Sequence, residues 1–435
     1  MKQKRVLVLG GYGLIGQSVV RRLIDAGHSV LALGRDAKHG KHHEARCDWI
    51  AADISNLTSL DKWLPLLAGV DAVVNASGAL QSGLRDRLDD LQNRSIVALI
   101  EACEKASVRT FVQISAPGAT ADAKTEFLRT KSVADARLRE SDLAWVILKP
   151  GLVISPNAYG GTALLRMLAA FPVVLPLVHG TVPVGTVDIE DVSTTVVMAV
   201  ERTILPCTEI DIIETDPGSL RDVALAFRKW LGLPAPKAVI SVPSWAGTLV
   251  GRGADVLGRL GWRSPLRSTA LDVIKDGVIA DNSAFLSHVG RTPRSLEETL
   301  LRIPSTVQER WFAQLYLAIP IVLATLSAFW IVSGAVGLAS IGQATGHVTA
   351  LGMSETVAYA IVAGGAAVDI ALGAAVLFQP FARKALLAMA AVTVGYLAAG
   401  TVLSPELWAD PLGPYVKTIP AAVLALLASR FIGSR

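Results

Sequence analysis

Gly10, Gly13 and Gly16 recur every third residue in the run Arg5-Val-Leu-Val-Leu-Gly-Gly-Tyr-Gly-Leu-Ile-Gly. An apolar stretch rich in β-branched residues precedes this loop. A helical pattern follows it, with Ile15, Val19, Val20, Leu23 and Ile24 on one face. Glycine lets the backbone turn sharply and approach a pyrophosphate, and the amides at a helix N-terminus attract its negative charge. Gly10, Gly11, Tyr12, Gly13, Leu14, Ile15 and Gly16 are therefore the candidate dinucleotide-binding residues. After a second strand, Ser29 to Leu33, come Arg35 and Asp36. A carboxylate at this distance from the loop holds a ribose 2′-hydroxyl, whereas an arginine pairs with a 2′-phosphate. Arg35 favours NADP(H) over NAD(H), and Asp36 keeps NAD(H) open. Asp53 is placed either to touch the adenine edge or to cap a short helix. Asn75, Ala76 and Ser77 end another apolar run with small residues, leaving room for a bound cofactor.

These residues need a parallel sheet with helices on both faces. Val6–Leu9, Val30–Leu33, Trp49–Ala52, Ala72–Asn75, Thr110–Ile114 and Ala144–Leu148 read as strands. Amphipathic stretches such as Arg94–Lys105 and Thr125–Glu140 separate several of them. The alternation predicts a doubly wound α/β fold of Rossmann type. In the segment Asp188-Ile-Glu-Asp-Val192, paired acids before a helix at Ser193–Arg202 read as caps rather than as an acid/base pair. The stretch Trp245–Trp262 is apolar and glycine-rich. It is expected to line a lipophilic pocket, lie on a membrane surface or be buried in a core.

Composition narrows the function classes. The chain has 435 residues, 51% of them hydrophobic and 18% charged, with a net charge of +4. No basic face interleaved with aromatics is present, so no nucleic-acid partner is expected. Cys47, Cys103 and Cys207 are too scattered for a disulfide framework or a zinc site. The run Lys38-His-Gly-Lys-His-His-Glu44 reads as a solvated loop, and no metal is expected.

Ordered markers follow the glycine loop: Ile114-Ser-Ala-Pro-Gly118, Thr125-Glu-Phe-Leu-Arg-Thr-Lys131 and Leu148-Lys-Pro-Gly-Leu-Val153. With these, residues 4 to 300 resemble the short-chain dehydrogenase/reductase superfamily. The closest type is its atypical branch of NmrA-like regulators and the nucleotide-binding subunit of respiratory complex I. The resemblance implies that Lys131 and Ser115 are catalytic and that Lys131 and Pro150 flank the cofactor. It also implies a Tyr-x-x-x-Lys pair, but the tyrosine position here is Phe127. Phenylalanine has no acidic proton, so alcohol–ketone interconversion through that residue is excluded. Three readings remain: Lys131 acts as the acid, the acceptor is a quinone- or flavin-like group protonated from solvent, or the site only senses the cofactor's redox state.

Past Arg310-Trp-Phe312 the chain changes solvent. Leu315–Leu338, Val357–Phe378, Ala385–Val402 and Val416–Ile432 are apolar runs near the ~20 residues needed to cross a bilayer. Basic residues cluster before the first span (Arg302, Arg310), between the second and third (Arg383, Lys384), and at the end (Arg430, Arg435), whereas loop 339–356 has none and the third loop only Lys417. This places the N-terminal domain and the C-terminus in the cytoplasm, with the helices in the cytoplasmic membrane. Asp369 lies inside the second span, with Gly365 and Gly373 on the same helix face. It reads as a proton or quinone site, or as an interhelical hydrogen bond. Trp330-Ile-Val-Ser-Gly334 and Asp369–Gly373 make residues 310 to 430 resemble the DoxX-like four-helix membrane family.

The expected organisation is an NAD(P)-binding domain over 1–305, with a substrate-covering part at 155–305, followed by a four-helix transmembrane domain over 310–435. The expected function is membrane-anchored oxidoreduction with a small lipophilic or quinone-like acceptor. The alternative is a non-catalytic redox sensor or assembly factor for a membrane complex. A homo-oligomer or a larger membrane complex is compatible with either.

Overall fold

The computed structural model describes residues 2–80, 87–262 and 266–432; Arg435 lies outside them. The chain divides into two compact units, one formed by 1–255 with 264–313, the other by 256–263 with 314–435.

In the first unit, β1 (Arg5–Leu9), β2 (Ser29–Gly34), β3 (Asp48–Ala51), β4 (Ala72–Asn75), β5 (Thr110–Ile114) and β6 (Ala144–Pro150) join a seventh strand, Thr208–Ile212. The sheet is parallel, and its order runs from Thr208–Ile212 through β6, β5, β4 and β1 to β2 and β3. Side chains alternate across it. Val6 and Val8 enter one core with Val19, Val20, Val192 and Val196. Leu7 and Leu9 enter the opposite core with Trp63, Leu99, Phe111 and Leu138. Both faces are thus covered by helices, which is why the strands read as nearly continuous apolar runs. The chain leaves β1 in one direction for β2 and later returns to β4 on its other side. That reversal opens a crevice at the carboxyl ends of the strands.

From Leu152 onward the chain builds a second layer, apart from helix Ile189–Glu201 and strand Thr208–Ile212, which stay with the main sheet. Two small parallel pairs, Leu152–Ile154 with Thr186–Asp188 and Val174–Leu177 with Ala238–Ser241, flank helices Gly160–Ala169 and Leu220–Trp230. Ile154, Leu165, Phe227 and Leu300 form their core.

Several local expectations need correction. The helix expected from Ser193 begins at Ile189, and Asp188 caps it by accepting from the Glu190 amide at 2.9 Å. Asp191 is not a cap. It is fully buried and accepts from the Arg294 amide (2.9 Å) and the Arg291 guanidinium (2.5 Å), an ionic anchor for the segment after residue 290. The histidine cluster is helical over Ala37–His43 rather than a loop, because Asp36 accepts from the Lys38 and His39 amides. Trp245–Trp262 is not core: it contains helix Ser244–Arg259, whose large apolar residues are exposed.

Among the described residues, four helices are long and apolar enough to cross a membrane: Val307–Ala339, Glu355–Ala375, Gln379–Leu403 and Pro414–Ile432. The first begins several residues earlier than the sequence indicated, and its opening residues, to Ala313, group with the first unit. The loop after it, which has no lysine or arginine, contains a further helix, Ile341–Thr349. Leu326, Trp330, Leu386, Met389 and Ala425 form the bundle core. Glycine brings two helices into backbone contact: a Cβ on Gly334 would lie 2.5 Å from the Ala366 carbonyl oxygen, and one on Gly373 would lie 2.9 Å from that of Ser327.

Candidate functional site

The loop after β1 could hold a pyrophosphate, because its glycines bring backbone close where side chains would not fit. Gly10 has φ +70°, and a Cβ there would lie 2.9 Å from the Ala76 carbonyl oxygen. On Gly16 a Cβ would reach within 2.0 Å of the Gly10 oxygen, which locks loop against helix. Gly13 is the N-cap of helix Leu14–Asp25, and no acid in that helix's first turn opposes an anion. Leu14 and Ile15 pack against the valine core below. Tyr12, a candidate for the cofactor, holds backbone: its hydroxyl accepts from the amides of Arg35 (2.9 Å) and Asp36 (3.3 Å), fixing the end of β2.

The loop after β4 closes the other side of the crevice. Asn75 donates from Nδ2 to Gln113 Oε1 at 2.8 Å, and its Oδ1 accepts from the Ser77 amide (3.1 Å) and hydroxyl (2.5 Å). Gln113 was invisible as a partner in sequence; only the register of β4 on β5 sets it opposite Asn75. At the end of β3, Asp53 accepts from the amide and hydroxyl of Ser55 (3.0 and 2.7 Å), the capping geometry. Pro150 is buried at the end of β6.

Lys131 lies on helix Glu126–Arg139, which Thr125 caps by accepting from the Leu128 amide. The lysine is buried, and its Nζ donates to the Ile114 carbonyl oxygen at 2.7 Å. That nitrogen lies 5.7 Å from the centre of the Phe127 ring one turn earlier. It would also stand 3.6 Å from a Cβ placed on Gly78, so glycine keeps the space before the lysine open. Burial pulls the Lys131 pKa down to about 8, with the charge of Asp135 opposing that shift.

Asp135, one turn beyond the lysine, is the group that sequence reasoning missed. It is fully buried and accepts the Ser115 hydroxyl proton in a short hydrogen bond, while its Oδ1 has no hydrogen-bond partner. Burial raises its pKa. Ser115 therefore turns its hydroxyl toward this carboxyl. The expected serine–lysine pair is assembled through Asp135 and the Ile114–Ser115 backbone. The available signal was the four-residue spacing of Lys131 and Asp135 on one helix face.

Residues 10–168 match the NAD(P)H-binding family model, and residues 327–426 match the DoxX-like family model. The chain thus fuses an NAD(P)H-binding domain to a C-terminal DoxX-like domain. The chain is 31% identical over 147 residues to the photosystem II assembly factor Ycf39 of Synechocystis, covering 33% of this chain and 44% of that protein. It is 30% identical over 179 residues to the UPF0659 protein YMR090W of Saccharomyces cerevisiae, covering 39% and 77%. It is 30% identical over 198 residues to the NAD(P)H azoreductase of Xenophilus azovorans, covering 45% and 63%. The DoxX-fused chain thus spans less than two thirds of both the assembly factor and the azoreductase. Among solved structures, the Bordetella bronchiseptica enzyme WbmH with NAD+ superposes with a TM-score of 0.54 at 15% identity, over 70% of this chain and 97% of that one. A Thermotoga maritima UDP-glucose 4-epimerase gives 0.52 at 17% identity, over 70% and 98%. These establish the fold of the first unit.

In the DoxX-like unit, Asp369 is buried between two hydroxyls from neighbouring helices. Ser333 Oγ donates to its Oδ2 and Tyr396 to its Oδ1, both at 3.2 Å. Gly365 and Gly373 flank it as expected, a Cβ on Gly365 falling 3.2 Å from the Tyr396 hydroxyl. Interhelical hydrogen bonding is thus present, through two partners that the sequence did not reveal.

Proposed function

We propose that this protein is a membrane-anchored NAD(P)H-dependent oxidoreductase whose acceptor is a small lipophilic, quinone-like molecule. The observation that carries the reading is Lys131: a buried ammonium at the open end of the glycine crevice, beside a phenylalanine where the superfamily has its proton donor. The bound nicotinamide cofactor supplies a hydride. Gly10, Gly13 and Gly16 leave space for its pyrophosphate, and Arg35 would pair with the 2′-phosphate of NADP(H). Asp36 is engaged with the Lys38 and His39 amides, which supports the NADP(H) preference. Lys131 faces the space over Gly78, where it can hold a ribose hydroxyl and exchange a proton near neutral pH. Phe127 offers no O–H. The favoured acceptor is therefore one whose reduced oxygen takes its proton from water or from Lys131, as a quinone becoming a quinol does. Such acceptors dissolve in membranes, and a tethered membrane domain raises their effective concentration at the site. Basic residues at Arg302, Arg310, Arg383, Lys384 and Arg430 support a cytoplasmic placement of the NAD(P)H-binding unit.

The test is NADPH oxidation by the full chain in detergent with short-chain quinones, comparing wild type with Lys131→Ala. Turnover that falls in the variant supports the reading. Tight NADPH binding with no turnover for any acceptor supports the second reading, a sensor or assembly factor, which Phe127 and the similarity to an assembly factor favour.

A further inference from the structure

Helix Ser244–Arg259 is built inside out for a soluble protein. Gly247, Gly251, Ala254 and Gly258, spaced four, three and four residues apart, form its buried face. A Cβ on Gly247 would lie 3.0 Å from Val178, and one on Gly251 would lie 3.2 Å from Leu271. The face that packs is therefore the face without side chains. The opposite face carries Trp245, Leu249, Arg252, Val256 and Arg259, at the same helical spacing, and all five are exposed. Trp245 is 68%, Leu249 59% and Val256 55% accessible, with Val250 and Leu257 exposed beside them. Three large apolar side chains in line, edged by two arginines, are not left to water without a partner.

The end of this helix fixes which partner. Residues 256–263 group with the membrane-spanning helices. Trp262 Nε1 donates to the Leu377 carbonyl oxygen at 2.6 Å, and the Gln379 amide donates to that of Leu260 at 3.0 Å. Leu377 and Gln379 form the turn between the second and third spans, close to Arg383 and Lys384. A span-connecting turn lies at headgroup depth, so the helix ends at the membrane surface, where tryptophan and arginine side chains are most at home.

We infer that helix Ser244–Arg259 lies in the plane of the membrane, with Trp245, Leu249 and Val256 in the acyl–headgroup boundary and Arg252 and Arg259 on anionic headgroups. The partner is the lipid surface itself. The inference rests on the four spans and the exposed face, and it holds whether or not the first unit transfers a hydride.

The experiment places nitroxide labels singly at Leu249→Cys, Val256→Cys and, as a solvent control, Val173→Cys, in a Cys207→Ser background. The full chain is reconstituted into phosphatidylethanolamine/phosphatidylglycerol vesicles. Labels at 249 and 256 are expected to collide several-fold more often with oxygen than with a water-soluble nickel chelate, and the label at 173 to show the reverse. All three positions are exposed, so labelling leaves the fold intact, and retained NADPH binding by each labelled protein checks this. Chelate accessibility at 249 and 256 equal to that at 173 overturns the inference. Shielding from both reagents also overturns it, because it means that protein covers the face, whether a second copy or this chain itself.

Discussion

Burial penalises an ammonium more than a neutral amine, and Lys131, with its pKa at about 8, titrates where the cell can use it. Below that pH the lysine is protonated in both the folded and the unfolded chain. Between about 8 and the ordinary 10.5, the unfolded chain still holds a proton that the folded chain has lost. Stability should therefore rise with pH across that window, and Lys131→Met should remove the rise, as urea unfolding of the full chain at pH 7.5 and 10 would measure. If Lys131 supplies the proton, turnover should fall as pH climbs through about 8, and Lys131→Arg should shift that limb out of range. Phe127→Tyr should create carbonyl reductase activity absent from the wild type, read as NADPH oxidation with small ketones. Gly16→Ala should weaken NADPH binding by on the order of a hundredfold, since its Cβ would fall 2.0 Å from the Gly10 oxygen. The glycines and Lys131 were legible because their types and order carry meaning along the chain. Asp135 and Gln113 were not, because a buried acid or amide becomes informative only when its neighbours are known.

Strands and helices followed local pattern closely where both faces of the sheet are buried. Helix starts were less legible, and Asp191 shows why. In sequence it is one of three acids before an apolar run, and dipole complementation is the ordinary reading. In the fold it is a fully buried carboxylate joined to Arg291 and Arg294, a hundred residues later. Asp191→Ala should destabilise the first unit by about 1–3 kcal/mol, because the Arg294 amide and Arg291 lose their buried acceptor while Arg294 keeps Asp188. Chemical denaturation followed by tryptophan fluorescence checks this, and a cost below ~1 kcal/mol would restore the capping account.

Two solvents shape the whole molecule. The first unit buries Cys47 and Cys103, and burial raises both thiols, Cys47 to about 11, whereas Cys207 is exposed. Cys207 should therefore be the cysteine that a membrane-impermeant maleimide labels in native protein. With the proposed orientation, it should be protected in intact cells and labelled in inverted membrane vesicles. Labelling in intact cells would place the NAD(P)H-binding unit outside. The same vesicles supply the quinone assay with its native lipid.

The order of residues alone determined the nucleotide loop, the alternation of strand and helix, the missing tyrosine and the four apolar spans, because each is a short-range or periodic property. Tertiary structure decided what sits around them: the Asp135 carboxyl under Ser115, the hydroxyls on Asp369, and the helix that packs through its glycines and turns its tryptophan outward. Those arrangements join residues far apart in the chain, and close packing and the partnering of buried charge, rather than local preference, select them.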